Sequence, residues 1–347
     1  MSDNNLINID GLGDVFVKFL DMLEKACVWA VSPHGSRKEF ENGLQAYTKA
    51  ISEDEKLSPL EKGAKIAAAR KDLKEYINKC SIINYAIQDI KDDAKIDVDF
   101  DWLNYFFDYA KNISDNSVQR IWARILAEEA NGDTSIQRQL IHVLSLMDSS
   151  TAYAFTNLCR ITLKFPRQKI YESFGNRFES QYIPLVLNYR LRSIDLAYPK
   201  ESQEYIQAKE YVDCIPSNEQ MSVLEEIGLI QFPEDREKSY SYPYNMGLIT
   251  HDFSGVGNSY TKTEIKDYII EYHEKKYKVL PKGGIDTHDL KNIQLPDNVS
   301  VGFVKYTTIG EKLFQLISVE GLEHFEDYIK LFFERQNFLI EDCLENR

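Results

Sequence analysis

The sequence predicts a mainly α protein with an α+β part, in which an N-terminal and central helical bundle is followed by a winged-helix-like α+β region. Three observations predict it. Apolar residues in the first half recur at the three- and four-residue spacing of helices. Capping residues, Gly and Pro punctuate that pattern at short intervals. After Pro166 tyrosines and prolines multiply and the spacing turns to period two, as strands require. The expected divisions are a helical region at 1–98, a central helical region at 99–166 and an α+β region with a C-terminal helix at 167–347.

Taken in order, Phe16, Phe19, Leu20, Leu23, Ala26, Cys27 and Ala30 form one helical stripe, closed by Pro33 and Gly35. The polar face of this helix lacks the basic excess of membrane-surface helices, so packing against a neighbour is expected. A polar helix over Arg37 to Glu53 follows. Ser58-Pro59-Leu60-Glu61 then sets a hydroxyl cap, a first-turn proline and a reciprocal glutamate in register for a long helix to about Asp92. After a linker holding Asp97, Asp99 and Asp101, the residues Trp102, Phe106, Tyr109 and Ile113 line the next helix. In "SVQRIWARILAEEANGD" the residues Val118, Ile121, Trp122, Ile125 and Leu126 make a single core stripe, and Asn131-Gly132 suits a left-handed stop. Thr134 with Gln137 forms a capping box for a helix carrying Ile136, Leu140, Val143, Leu144 and Met147, and another helix starts near Thr151.

In the last region, Ser217 to Ile227 reads as a short capped helix ended by Gly228 and followed by the strand "LIQF". "SYSYPY" reads as an edge strand, since Pro243 cannot donate to a ladder. "KDYIIEYHEKKYKVL" offers two strands around a polar turn, and "VSVGFVKY" one more. Thr308 and Glu311 form a capping box for "TIGEKLFQLI", and a final helix is expected from Gly321 to about Glu341. Helix, strand, hairpin and capped helix in this order give the winged-helix-like pattern, which serves protein partners as well as DNA.

Composition narrows function. The chain has 347 residues, 43% of them hydrophobic, and a net charge of −14. That charge opposes the phosphate attraction behind nonspecific nucleic-acid binding. Apolar runs such as Ala26 to Val31 fall well short of the roughly 18 residues of a membrane span, and the acidic start lacks the pattern of an export signal. Five scattered cysteines without a CxxC pair indicate neither a disulfide framework nor a zinc site. A cytoplasmic, cofactor-free protein is expected.

Candidate chemistry is sparse. Arg120, Arg124 and Glu128, spaced by four, form an outward ridge suited to a partner protein or self-association. Glu128 and Glu129 are adjacent on a helix and point about 100° apart, so they cannot readily converge on one ion. Asp286, His288 and Asp289 after Gly283-Gly284 carry metal-ligand chemistry in one short loop, without the distant ligands a strong site needs. "SGVGNS", with Gly255 and Gly257, lacks the context of a dinucleotide site and reads as a loop. Basic residues gather at Lys62, Lys65, Arg70, Lys71 and Lys74. They gather again at Lys262, Lys266, Lys275, Lys276 and Lys278 beside Tyr268, Tyr272 and Tyr277, an interleaving that suits nucleic acid. Glu264, Asp267, Glu271 and Glu274 interrupt the second group.

The segment from Asp101 to Lys164 resembles the bacterial domain-of-unknown-function family 2806. The family's hallmark helix is matched by Ser114, Asp115, Gln119, Trp122, Ala123, Arg124, Ile125, Leu126, Ala127, Glu129, Ala130 and Asn131. Leu144, Leu146, Asp148, Ala152, Phe155, Leu158 and Cys159 continue it. Glu128 stands where members often have Gly, Met147 where they have Leu, and Gly132-Asp133-Thr134-Ser135 replaces a Pro-Gly-Ser-Phe-like link. The resemblance implies a helical architecture and a bacterial cytoplasmic setting, and it carries over no established activity or catalytic residues. Similar helices in abortive-infection-like proteins extend the implication to phage defence. Three functions follow as expectations: a noncatalytic interaction or regulatory protein, a nucleic-acid-binding regulator, and a metal-dependent enzyme using Asp286 and His288.

Overall fold

The computed structural model describes residues 14–26, 37–132, 136–165, 169–172, 175–178, 182–186, 210–234, 240–243, 248–255, 258–265, 268–282, 298–317 and 319–343. The chain packs into two compact units, Met1–Ala152 and Tyr153–Arg347. It is mainly helical, and among the described residues the antiparallel sheets lie in the second unit. No helix among the described residues is long and apolar enough to cross a membrane.

The first unit holds α1 (Asp14–Ala26), α2 (Arg37–Glu53), α3 (Pro59–Ile87), α4 (Phe100–Ala110), α5 (Asn116–Asn131) and α6 (Arg138–Ser145). The helix α7 (Ser149–Arg160) begins here and runs into the second unit. Ser58 and Glu61 make the expected capping box of α3. Asp99 caps α4 by accepting from the Trp102 amide, and Gly132 closes α5 at a φ of 74°. Thr134 lies outside the described residues. The helix it was expected to cap starts at Arg138, with Gln137 at the cap position and no side-chain cap bond.

The helices α2 and α5 pack on α3, while α4 packs on α6 and α1. At the centre the Phe106 ring stacks on Trp102 at 5.2 Å and takes Phe107 and Trp122 edge-on, each at 5.1 Å. Quadrupolar rings favour such edge contacts beyond the area they bury. Phe19 and Leu23 of α1 are buried in this unit, which accounts for their stripe.

In the second unit a five-stranded antiparallel sheet has the order β13-β10-β9-β1-β4. These strands are β1 (Thr162–Lys164), β4 (Tyr182–Pro184), β9 (Tyr268–Tyr272), β10 (Lys275–Pro281) and β13 (Phe338–Asp342). Four two-stranded pieces accompany it: β2 (Lys169–Glu172) with β3 (Gly175–Phe178), β5 (Ile230–Gln231) with β12 (Lys305–Tyr306), β6 (Tyr240–Pro243) with β11 (Asn298–Gly302), and β7 (Leu248–Gly255) with β8 (Asn258–Ile265). The helices are α8 (Asn218–Glu226), α9 (Thr308–Leu316) and α10 (Phe325–Glu334). Ser217 and Gln220 cap α8 reciprocally, as expected.

Three expectations shift. "VSVGFVKY" is two strands, β11 and β12, divided after Gly302, whose φ is 113°. Thr307, one residue before the expected cap, accepts from the Gly310 amide at 3.0 Å to start α9. The final helix ends at Glu334, because Asn337 takes a left-handed φ of 64° and turns the chain into β13. There Phe338 to Asp342 pairs along β10, and Phe338 returns to the core.

The junction of α9 with β5 is unusually close. Thr307 donates its amide to the Leu229 carbonyl at 3.1 Å and its hydroxyl to the Gly228 carbonyl at 2.5 Å. A Cβ at Gly310 would lie 1.8 Å from the Leu229 carbonyl oxygen, a backbone atom with nowhere to go. Gly310→Ala should therefore lower stability by about 3 kcal/mol. Urea unfolding of the purified chain measures this, and a change within about 0.5 kcal/mol would show that the junction yields.

Candidate functional site

The hallmark polar residues of α5 act on backbone. Asp115 Oδ1 accepts from the amides of Ser117 at 2.9 Å and Val118 at 3.1 Å. Gln119, 2% exposed, donates to the Ile113 carbonyl at 2.8 Å. Asn131 accepts from the Lys91 amide at 2.9 Å and donates to the Asp89 carbonyl at 3.3 Å, holding the chain just after α3. The Glu129 carboxylate accepts from the Ile136 amide at 2.6 Å, and the Trp102 indole donates to the Ile136 carbonyl at 2.8 Å. Burial raises the Glu129 pKa, against the opposing Ile136 hydrogen bond. Asp148 accepts from the Thr151 amide at 2.7 Å and its hydroxyl at 2.8 Å, and these bonds hold its carboxyl below the ordinary 3.8. Trp122 is fully buried, and its indole Nε1 has no hydrogen-bond partner among the described residues. It serves by packing.

The expected ridge faces α3. The Arg120 guanidinium lies 4.4 Å over the Tyr85 ring, and Arg124 Nε is 3.6 Å from Asp89 Oδ2. Glu128 is partly buried beside them. Both arginines thus meet neighbours in their own unit.

The lysine and tyrosine hairpin separates by face. Tyr268, Tyr272 and Tyr277 are at most 4% exposed, because alternation along β9 and β10 turns all three into the core. Lys275 pairs with Glu326, Lys276 is exposed, and Lys278 is partly buried. Lys262 lies in β8 opposite His251, and Lys266 falls outside the described residues. Tyr272, expected among the nucleic-acid contacts, is thus a buried residue of β9. Its hydroxyl donates to the Arg160 carbonyl at 2.8 Å and accepts from the Leu322 amide at 2.8 Å. Asp286, His288 and Asp289 also lie outside the described residues, among which no group of three metal-ligating side chains converges. Gly255 ends β7 beside the tip of the β7 and β8 hairpin.

Around Tyr272 the second unit gathers its polar side chains. Arg160 donates to Cys214 Sγ at 3.6 Å, Glu210 Oε1 at 3.5 Å and the Glu320 carbonyl at 3.3 Å. Burial raises the Cys214 pKa in spite of Arg160, so the thiol stays protonated at neutral pH. Burial also lowers the His273 pKa, keeping that imidazole neutral. The arrangement fastens the end of α7, β9 and the chain before α10. It is a structural joint without an activated nucleophile.

A concave feature lies among the described residues of the first unit. A cleft of about 670 Å³ opens between α2 and α3. Its α2 wall is Glu39, Phe40, Gly43, Leu44 and Tyr47, which share one helical face; Leu73 and Tyr76 of α3 face them. Phe40 and Tyr76 meet at 4.9 Å in its floor. Below them burial pushes the Tyr76 hydroxyl up and the Cys80 thiol to about 12, so both are neutral. Tyr47 remains 42% exposed. Sequence reasoning passed over this cleft, since α2 reads as polar and its apolar stripe looks like ordinary core. The signal was the helical spacing of Phe40, Leu44 and Tyr47, which gathers the large apolar residues of an otherwise polar helix on one face.

Two substitutions separate packing from capping. Trp122→Ala should cost about 3–5 kcal/mol, as loss of a buried indole does. Asp148→Ala should cost about 1 kcal/mol at neutral pH. Because the folded-state pKa of Asp148 is depressed, its stabilisation is present above 3.8 and is lost as pH falls through the lower folded value. The wild-type and Asp148→Ala stabilities should therefore converge in acid. Urea melts across pH measure both, and a gap for Asp148→Ala that persists to the lowest pH would contradict the capping role.

No curated protein and no solved structure matches the chain. Residues 67–234, from within α3 to just beyond β5, match the family model described as Protein of unknown function (DUF2806), and this match supports the family resemblance carried by α5.

Proposed function

We propose that the protein is a noncatalytic interaction or regulatory module that seats a helical segment of a partner protein in the cleft between α2 and α3. The observation that carries this reading is the cleft itself: two apolar helical stripes face each other across an open channel floored by Phe40 and Tyr76. Two helices arranged this way offer the grooves into which a third helix packs. The family's polar hallmark residues support the reading from the other side, since hydrogen bonds within the first unit occupy Asp115, Gln119, Glu129 and Asn131. The winged-helix-like order of α8, β5, β12 and α9 supplies a second platform in this proposal. The likeness of α5 to abortive-infection-like proteins extends it to a bacterial cytoplasmic setting and to phage defence.

A photo-reactive phenylalanine analogue in place of Tyr47, in the producing cells, tests the reading. One discrete adduct should form, mapping by mass spectrometry to a single amphipathic segment. Gly43→Trp should abolish it by filling the cleft. Adducts scattered over many proteins, or unchanged by Gly43→Trp, would defeat the proposal.

A further inference from the structure

We infer that the occupant of the α2 and α3 cleft is an amphipathic helix of about three turns whose apolar stripe is flanked by Lys or Arg. This rests on the docking role proposed above and specifies the chemistry of the partner. Length comes first. The lining residues run from Glu39 to Tyr47 on α2 and from Ala69 to Lys79 on α3. At 1.5 Å per residue these walls are about 12 and 15 Å long, which matches roughly ten helical residues.

Charge comes second. The walls carry the carboxylates of Glu39, Asp72 and Glu75 against the single ammonium of Lys79. Glu75 already meets Lys71 at 3.7 Å, which tempers its share, and the formal charge of the lining stays acidic. An apolar channel with acidic margins favours a helix with basic flanks, because opposed charges steer encounter and reject acidic competitors. Complementarity of this kind selects the partner more than it holds it.

Backbone comes third. Gly43 sits in the α2 wall, and a Cβ built there would meet nothing within 4 Å. A mid-helix glycine weakens a helix, and among the described residues no contact requires this one. Its bare backbone lets an incoming helix approach closely. It also gives a clean test, because a large side chain at 43 enters the channel while leaving the core untouched.

The probes are two synthetic sixteen-residue peptides with the same Leu and Ala stripe, one flanked by Lys and Arg and the other by Glu, titrated by fluorescence anisotropy into the full-length chain. The basic peptide should bind about tenfold more tightly at low salt, the sum of two or three partly screened pairs. The preference should shrink at high salt and fall with Asp72→Asn and Glu75→Gln. Gly43→Trp should remove binding of both peptides while keeping its circular dichroism and melting temperature. Equal or reversed preference, with binding still blocked by Gly43→Trp, overturns the basic-helix assignment and leaves docking standing. Binding of neither peptide, or binding indifferent to Gly43→Trp, overturns the docking role as well. A concentration-dependent dimer abolished by Gly43→Trp would make a second copy the occupant and overturn the inference.

Discussion

Buried backbone must find hydrogen-bond partners, and in the first unit side chains of α5 and α4 supply them at three described connections. The loop before α5 leaves the Ile113 carbonyl under the helix, where Gln119 reaches it. The chain after α3 presents the Asp89 carbonyl and the Lys91 amide, which Asn131 spans with one side-chain amide. The return after α5 exposes both polar groups of Ile136, taken by Glu129 and Trp102. An unpaired buried donor or acceptor costs about 1–3 kcal/mol, so these four side chains fix where three connections can run. The aromatic cluster of Trp102, Phe106, Phe107 and Trp122 then fills the space they define.

The second unit uses tyrosine in the same way. Tyr272 joins the last turn of α7 to the chain before α10. Tyr306, fully buried on β12, lies 2.9 Å from the Thr162 hydroxyl, which itself donates to the Leu158 carbonyl at 2.7 Å. With its one proton committed there, Thr162 accepts from Tyr306. A tyrosine in a core brings a large apolar body and one polar tip, and these two place the tip at strand and helix ends. The buried tyrosines Tyr268, Tyr272, Tyr277 and Tyr306 therefore serve the packing of the strands that carry them.

The functional reading rests on what remains once these duties are assigned. Arg120 and Arg124 meet α3, Tyr268 and Tyr277 face inward, and the hallmark carboxylates cap or buttress backbone. The α2 and α3 cleft is the concave apolar surface on which the proposal rests. Its exposed Tyr47 and its glycine wall line that surface.

The sequence by itself determined the helices of the first half, the cap at Ser58, the cap of α8 at Ser217 in the second unit, the left-handed stop at Gly132 and the core stripe of α5, because these depend on residues within one or two turns of each other. The tertiary structure decided the rest. Asp99 and Asp148 became caps only when their helices had ends, and the Phe338 strand formed because β10 offered an open edge. The tyrosines of β9 and β10 turned inward because a sheet buries one face, which periodicity reveals but does not orient. The cleft was invisible for the same reason: α2 and α3 each show an apolar stripe, and only their packing shows that the stripes meet across open space.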